Sequence, residues 1–153
     1  RLLDDWRKFK FIKTLGPEPQ DITLDRFKAM LASKKSQIKP LLMDQSFISG
    51  IGNLYAAEIL FYAKIHPERR ACDILDKDKE KLFKAMQEVL SRAVLYGGSS
   101  VDDYVRLSGA KGSYKRFHKV YAREGKPCFV CKTLIKRIVQ GGRGTYFCPK
   151  CQK

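Results

Sequence analysis

Apolar and polar positions alternate along this chain with helical spacing over most of its length. Leu24, Phe27 and Leu31 recur three and then four residues apart, one face of a helix. Asp21 or Thr23 can cap that helix, which is expected to run to about Ala32. Pro40 suits the first turn of a short helix over Pro40–Asp44, where its missing N–H has no helical partner to lose. From Asn53 to Ala63 nearly every position is apolar except Glu58, which predicts a buried helix capped by Asn53. Leu82, Met86, Val89 and Ala93 stripe a further helix that Asp76 can cap and Gly97-Gly98 can stop. A last short helix is expected over Val101–Leu107, then a loop over Ser108–Ser113 and a short strand over Phe117–Tyr121. Ile135–Val139 and Tyr146–Phe147 read as the strands of a hairpin. The fold class is therefore mainly α with a small β hairpin at its end.

The first fifteen residues differ from the rest. Trp6, Phe9, Phe11 and Ile12 stand among Arg7, Lys8, Lys10 and Lys13, as in a final strand of an upstream β domain. Gly16-Pro17-Glu18-Pro19 then interrupts regular structure and reads as a linker. The expected organisation is the end of a β domain over 1–15, a helical domain over 16–122 and a cysteine-bearing unit over 123–153. Opening on Arg1, the chain reads as the C-terminal part of a longer protein.

Composition narrows the function classes. The 153 residues are 44% hydrophobic, too many for a disordered tail. No apolar run approaches the roughly 20 residues that cross a bilayer, and no secretory signal is legible. The net charge is +15 and is unevenly placed. Residues 1–103 carry 18 basic and 15 acidic groups, whereas residues 104–153 carry 13 basic groups and one acidic group, Glu124. One sign of charge over fifty residues points to a polyanionic partner.

Cys128, Cys131, Cys148 and Cys151 have the spacing C-x2-C-x16-C-x2-C. Two such pairs can close a tetrahedral zinc site, one turn supplying each pair. So short a segment cannot hold a core unaided, and zinc is expected to supply much of its folding energy. Cys72 is left over and reads as an ordinary thiol. Between the pairs, Gly141-Gly142-Arg143-Gly144 sits at the hairpin turn. Its glycines would let a backbone approach a nucleic-acid groove with Arg143 projecting, or Arg143 is a solvated tip. Gly50-Ile51-Gly52-Asn53 ahead of a helix offers free N–H groups and a positive dipole end. It can hold a phosphate, or Asn53 can be an ordinary cap. Lys34 to Lys39 reads as a basic loop, and its Lys34, Lys35 and Lys39 favour the phosphate. Glu58 is expected to be structural, accepting hydrogen bonds inside the fold, as are His66 and His118.

Together these segments resemble the C-terminal half of the formamidopyrimidine-DNA glycosylase / endonuclease VIII family. The likeness runs through Leu15-Gly16-Pro17-Glu18-Pro19, Ile38-Lys39-Pro40-Leu41-Leu42-Met43-Asp44-Gln45 and Gly50-Ile51-Gly52-Asn53-Leu54-Tyr55-Ala56-Ala57-Glu58. It continues in Ile65-His66-Pro67, Val120-Tyr121, the four cysteines and Gly142-Arg143-Gly144-Thr145, whose last two residues resemble the formamidopyrimidine branch. The resemblance implies a helix–two-turns–helix module followed by a zinc-ribbon-like finger, both gripping damaged duplex DNA. It implies one structural zinc, and a cytoplasmic, monomeric parent enzyme that removes oxidised purines and nicks the strand. It assigns DNA contacts to Asn53, Gly52, Tyr55, Lys34, Lys35, Lys39 and Arg143, gives Arg143 a part in the elimination step, and places the Ser108–Ser113 loop over the flipped base. Two departures stand out. The family has glycine where this chain has Lys132, and its chemistry begins at an N-terminal Pro-Glu pair that these residues do not contain. The implied partners are damaged duplex DNA and an N-terminal catalytic domain. The alternative is a stand-alone zinc-dependent nucleic-acid-binding module.

Overall fold

The computed structural model describes residues 13–98 and 113–153. The segment 1–12, the Val101–Leu107 helix and the Ser108–Ser113 loop up to residue 112 lie outside the described residues.

Among the described residues the helical part has four α-helices: α1 (Leu24–Ala32), α2 (Ile38–Met43), α3 (Asn53–Ala63) and α4 (Asp76–Leu95). Thr23 caps α1, its hydroxyl accepting from the Arg26 N–H at 3.2 Å. Phe27 and Leu31 turn the buried face of that helix inward. α2 begins two residues earlier than the proline suggests, with Pro40 still in its first turn. Ile38 and Leu42 are sealed in the core, so burial of this face sets the start. In α4 the stripe Leu82, Met86, Val89 and Ala93 is buried as its spacing predicts. Leu75 rather than Asp76 is the N-cap, and Asp76 and Asp78 instead place negative charge in the first turn. Gly97 and Gly98 end the helix at positive φ, and the Gly98 N–H returns to the Ala93 carbonyl at 2.7 Å.

α3 is apolar on all sides because it is covered on all sides. Ile59 and Leu60 join the core made with α1, α2 and α4. Ala57 and Phe61, on another face of the same helix, pack with Val120, Ile135, Cys128 and Cys148 in a second core beneath the cysteines. The helix is thus the shared wall of both units. The Gly16–Pro19 stretch is held against the helical unit. The Gly16 N–H donates to the Gln45 carbonyl at 2.8 Å, and a Cβ on Gly16 would lie 2.5 Å from the Phe47 carbonyl oxygen.

The terminal unit is an antiparallel hairpin, β1 (Lys136–Gln140) and β2 (Arg143–Phe147). Gly141 and Gly142 form its two-residue turn with φ of 54° and 75°, left-handed at both positions as this tight turn requires. The register pairs Gln140 with Arg143, Ile138 with Thr145 and Lys136 with Phe147. These six residues share one face, and Thr145 and Phe147 press it against the helical unit. The expected strand over Phe117–Tyr121 does not form. A 3-10 turn occupies Tyr114–Phe117, and the backbone then curls around Glu58.

Candidate nucleic-acid interface and metal centre

Glu58 is sealed within the fold and accepts from three successive backbone N–H groups. These belong to Lys119 at 2.8 Å, Val120 at 2.9 Å and Tyr121 at 2.9 Å. Successive N–H groups of a strand point in opposite directions, so their convergence on one carboxylate excludes the extended backbone that the sequence suggested. Burial pushes the Glu58 carboxyl up, and the three N–H donors pull it back. This carboxylate ties α3 to the segment entering the finger. The histidines are also structural. His66 lies edge-on to Phe147 with centroids 4.6 Å apart, and burial pushes His118 down to about 4, leaving it neutral.

The four cysteine sulfurs converge, all within 4.8 Å of one another. Cys128 and Cys151 sulfurs stand 3.9 Å apart, and those of Cys131 and Cys148 stand 3.4 Å apart. Disulfide sulfurs would be about 2.05 Å apart, whereas a tetrahedron with Zn–S bonds of about 2.3 Å places them about 3.8 Å apart. In each turn a backbone N–H points at the first sulfur of the pair: Val130 to Cys128 and Cys151 to Cys148, both at 3.4 Å. Burial pushes the Cys151 thiol up to about 12, so such a cluster ionises fully only around a cation. The four thiolates fit one structural zinc. Lys132, just after the first pair, has φ of 65°, the left-handed conformation that glycine adopts without strain.

A second cluster lies where α2, α3 and β2 meet. Lys39, expected in a basic loop, is 1% exposed. Its ammonium donates to Asn53 Oδ1 at 2.6 Å and to Thr145 Oγ1 at 2.7 Å. Asn53 Nδ2 donates to the Gly144 carbonyl at 3.1 Å. Asn53 is the first residue of α3 rather than its cap. Gly52 holds the cap position, and no side chain caps the first turn. Its amide is turned outward into the network instead. Burial pushes the Lys39 ammonium down to about 8, and the charge of Arg143 adds to that push. Arg143 lies two residues from Thr145 on the same strand face and is exposed. A Cβ on Gly144 would meet the Arg137 guanidinium Nε at 2.8 Å, a contact that the flexible arginine side chain can yield.

Gln45 braces the turn before α3. Its amide donates to the Met43 and Ile51 carbonyls, both at 3.1 Å, and its oxygen accepts from the Gly50 N–H at 2.8 Å. Gly50 needs its φ of 91°, but Gly52 has an ordinary extended backbone. A Cβ on Gly52 would meet no protein atom within 4 Å. Tyr55 lines a cleft of about 660 Å³ beside this turn, with its ring 5.3 Å from that of Tyr114. Lys34 and Lys35 are exposed on the far side of α2's start, and Lys34 lines a different cleft with Asp44 and Ser46. The structure thus joins Lys39, Asn53 and Arg143 and leaves the other two lysines apart. The sequence does not single out Thr145 as a partner of Lys39 or Gly144 as a partner of Asn53. Their only signal was a place in the glycine-rich turn motif.

Comparison with known proteins resolves the kinship. Residues 15–105 match the formamidopyrimidine-DNA glycosylase H2TH domain, and residues 125–153 match the zinc finger found in FPG and IleRS. The chain belongs to the formamidopyrimidine-DNA glycosylase family. It is 44% identical to the formamidopyrimidine-DNA glycosylase of Solibacter usitatus over 99% of this chain and 61% of that protein. It is 45% identical to that of Listeria innocua over 94% of this chain and 54% of that protein. Among solved structures, the MutM (Fpg) protein of Thermus thermophilus superposes with a TM-score of 0.91 at 39% identity, covering 97% of this chain and 57% of that one. The Lactococcus lactis Fpg in complex with abasic-site DNA superposes with a TM-score of 0.89 at 35% identity, covering 99% and 56%. The chain therefore spans a little over half the length of these relatives. Among the described residues, no helix is long and apolar enough to cross a membrane.

Proposed function

We propose that this chain is the DNA-gripping C-terminal part of a bifunctional DNA glycosylase and AP lyase that removes oxidised purines. The observation that carries this reading is the buried Lys39 ammonium at the N-terminus of α3. Asn53 and Thr145 hold it, Arg143 stands nearby, and among the described residues no carboxylate accompanies it. A buried cation with a second cation beside it lacks its counter-ion, and a phosphate supplies one. Gly52 supports the reading, since beyond its chain neighbours no described residue comes within 4 Å of where its Cβ would be. So do the relatives, among which the Lactococcus lactis protein is seen with DNA containing Fapy-dG and with abasic-site DNA.

On this reading the helical module over 16–122 and the finger over 123–153 clamp one strand at phosphates beside the lesion. Asn53, Lys39 and Arg143 make the central contacts, Arg143 assists the elimination, and Gly52 and Tyr55 border the strand. Lys34 and Lys35 add outlying charge. The zinc supplies no chemistry to the reaction: it fixes the turns that carry β2, and β2 carries Arg143. The nucleophile comes from an N-terminal domain with the family's Pro-Glu start, in a monomeric cytoplasmic protein. The base must leave the stack before its glycosidic bond is attacked, so holding a deformed duplex is the task of this half.

The test is a salt titration of duplex binding by this chain, its Asn53→Ala and Arg143→Ala variants, with borohydride trapping on an 8-oxoguanine duplex. Binding should weaken steeply with salt, with a logarithmic slope of about −0.9 for each phosphate neutralised. Each substitution should cost about 1–3 kcal/mol, and Arg143→Ala should reduce the slope by about one. Trapping should require the N-terminal half. A flat salt dependence, or variants that bind as well as the parent, would overturn the assigned surface. Efficient trapping by this chain alone would overturn the division of labour.

A further inference from the structure

At the end of the finger away from Arg143, a groove opens between the cysteine turns and the C-terminal end of α3. It encloses about 400 Å³. β2 separates the two ends by about 16 Å, so the groove is not part of the Lys39 cluster. Phe61, Tyr62, Phe129 and Val130 supply its apolar lining, and Lys64, Lys119 and Lys150 supply its charge. No carboxylate lines it among the described residues.

Two adjacent apolar side chains of the groove stand open to solvent. Phe129 is 56% exposed and Val130 is 67% exposed, adjacent residues between two zinc-binding cysteines. Apolar side chains so placed cost hydration free energy unless a partner covers them. The Phe129 ring nonetheless packs against two cations. The Arg123 guanidinium lies 3.8 Å from its centroid and the Lys119 ammonium 5.1 Å. Arg123 is itself fixed by hydrogen bonds to the Lys119 carbonyl at 2.6 Å and the Pro127 carbonyl at 2.9 Å. An exposed aromatic ring braced by such contacts offers a preorganised surface to a partner.

We propose that this groove docks an acidic, amphipathic peptide segment of a partner protein. One large apolar side chain of that segment covers Phe129, Val130 and Phe61, while its carboxylates meet Lys64, Lys119 and Lys150. Charge complementarity fixes the sign of the partner. The apolar lining favours a peptide over a nucleic-acid backbone, because sugars and phosphates offer less apolar surface than a large apolar side chain to cover Phe129 and Val130. The groove would let the protein be recruited while the Lys39 and Arg143 end holds DNA.

The test uses the zinc-loaded chain, isotopically labelled, and a panel of N-acetylated, C-amidated hexapeptides. Each carries one phenylalanine, tryptophan, leucine or isoleucine flanked by aspartates, with lysine-flanked peptides as controls. At low salt at least one acidic peptide should shift the amide resonances of Phe61, Val130 and Lys150 saturably, with a dissociation constant on the order of 100 µM. The lysine-flanked peptides should leave them in place. Phe129→Ala should weaken the interaction about fivefold or more. Lys64→Asn should weaken it about threefold by removing one charge from the rim. Lys64 stands at φ of 60°, where asparagine is well tolerated. That variant keeps the test decisive should Phe129→Ala lose zinc. Shifts absent across the whole acidic panel up to millimolar peptide would overturn the proposal. So would shifts confined to Lys39, Asn53 and Arg143, which would show carboxylates standing in for phosphate. Duplex DNA or anionic vesicles moving the groove resonances in place of the peptides would overturn it as well. Loss of DNA binding by Arg143→Ala bears on the other end of the finger and leaves this outcome unaffected.

Discussion

Replacing Lys39 by methionine keeps an unbranched apolar side chain and removes its charge. The folded protein holds this ammonium with its affinity for the proton pushed down to about 8 from the ordinary 10.5, first by burial and then by Arg143. That gap corresponds to about 3.4 kcal/mol at most. Half-buried Asn53 and exposed Arg143 keep water close, and screening leaves about 2 kcal/mol. The sign follows from proton counting. Between pH 8 and 10.5 the unfolded chain keeps a proton that the folded chain releases, so the stability of the parent rises with pH across that window. Below about pH 8 both states are protonated and the penalty is present in full. Lys39→Met lacks the penalty, but it also loses two hydrogen bonds worth about 1 kcal/mol each. Near pH 7 the variant should therefore unfold within about 1 kcal/mol of the parent. Urea denaturation followed by far-ultraviolet circular dichroism, with zinc present, measures the difference between the two proteins. Other titrating groups cancel in that difference. The parent should gain about 2 kcal/mol on the variant between pH 7.5 and 10.5. A short duplex should stabilise the parent near pH 7 and the variant much less, because phosphate gives the ammonium the counter-ion it lacks. Parallel pH curves for the two proteins, or equal stabilisation by DNA, would show that Lys39 is not an uncompensated buried cation.

Glu58→Ala should cost about 3–5 kcal/mol, because three backbone donors lose a charged acceptor inside the fold. Hydrogen exchange should show the Lys119–Tyr121 amides deprotected first, and unchanged protection there would count against the carboxylate as their anchor. Lys132→Gly should relieve a left-handed backbone at φ of 65° and tighten zinc binding in a chelator competition. The gain should be about 0.5–1 kcal/mol, since glycine's greater freedom in the unfolded chain offsets part of the relief. Equal or weaker zinc affinity would contradict the conformation assigned to that turn.

Periodicity alone determined most of the helical unit. The α1 stripe, the apolar run of α3 and the Gly97-Gly98 stop are local features, and each acts through neighbours within about four residues. Asp21 and Thr23, by contrast, are equal candidates for the α1 cap in the sequence, and the structure chose Thr23. The cysteine spacing determined the metal centre for the same reason, since each C-x2-C turn presents its own two sulfurs. The two-residue glycine turn likewise placed Arg143 at a hairpin tip. Elsewhere the tertiary structure overrode local signals. Phe117–Tyr121 reads as a strand, but Glu58, some sixty residues earlier in the chain, gathers its N–H groups to one point. Asn53 reads as a helix cap, but Lys39 and Gly144 take its side chain. Lys39 reads as a loop lysine, but the hairpin closes over it and bonds it to Thr145, 106 residues away. A cap, a strand or a basic loop is scored from near neighbours, whereas burial and the identity of a hydrogen-bond partner depend on which surfaces meet. The sequence therefore carried the residue types of the Lys39, Asn53 and Arg143 cluster, and only the docking of the finger onto α3 decided that one of them is a buried cation with no carboxylate beside it among the described residues.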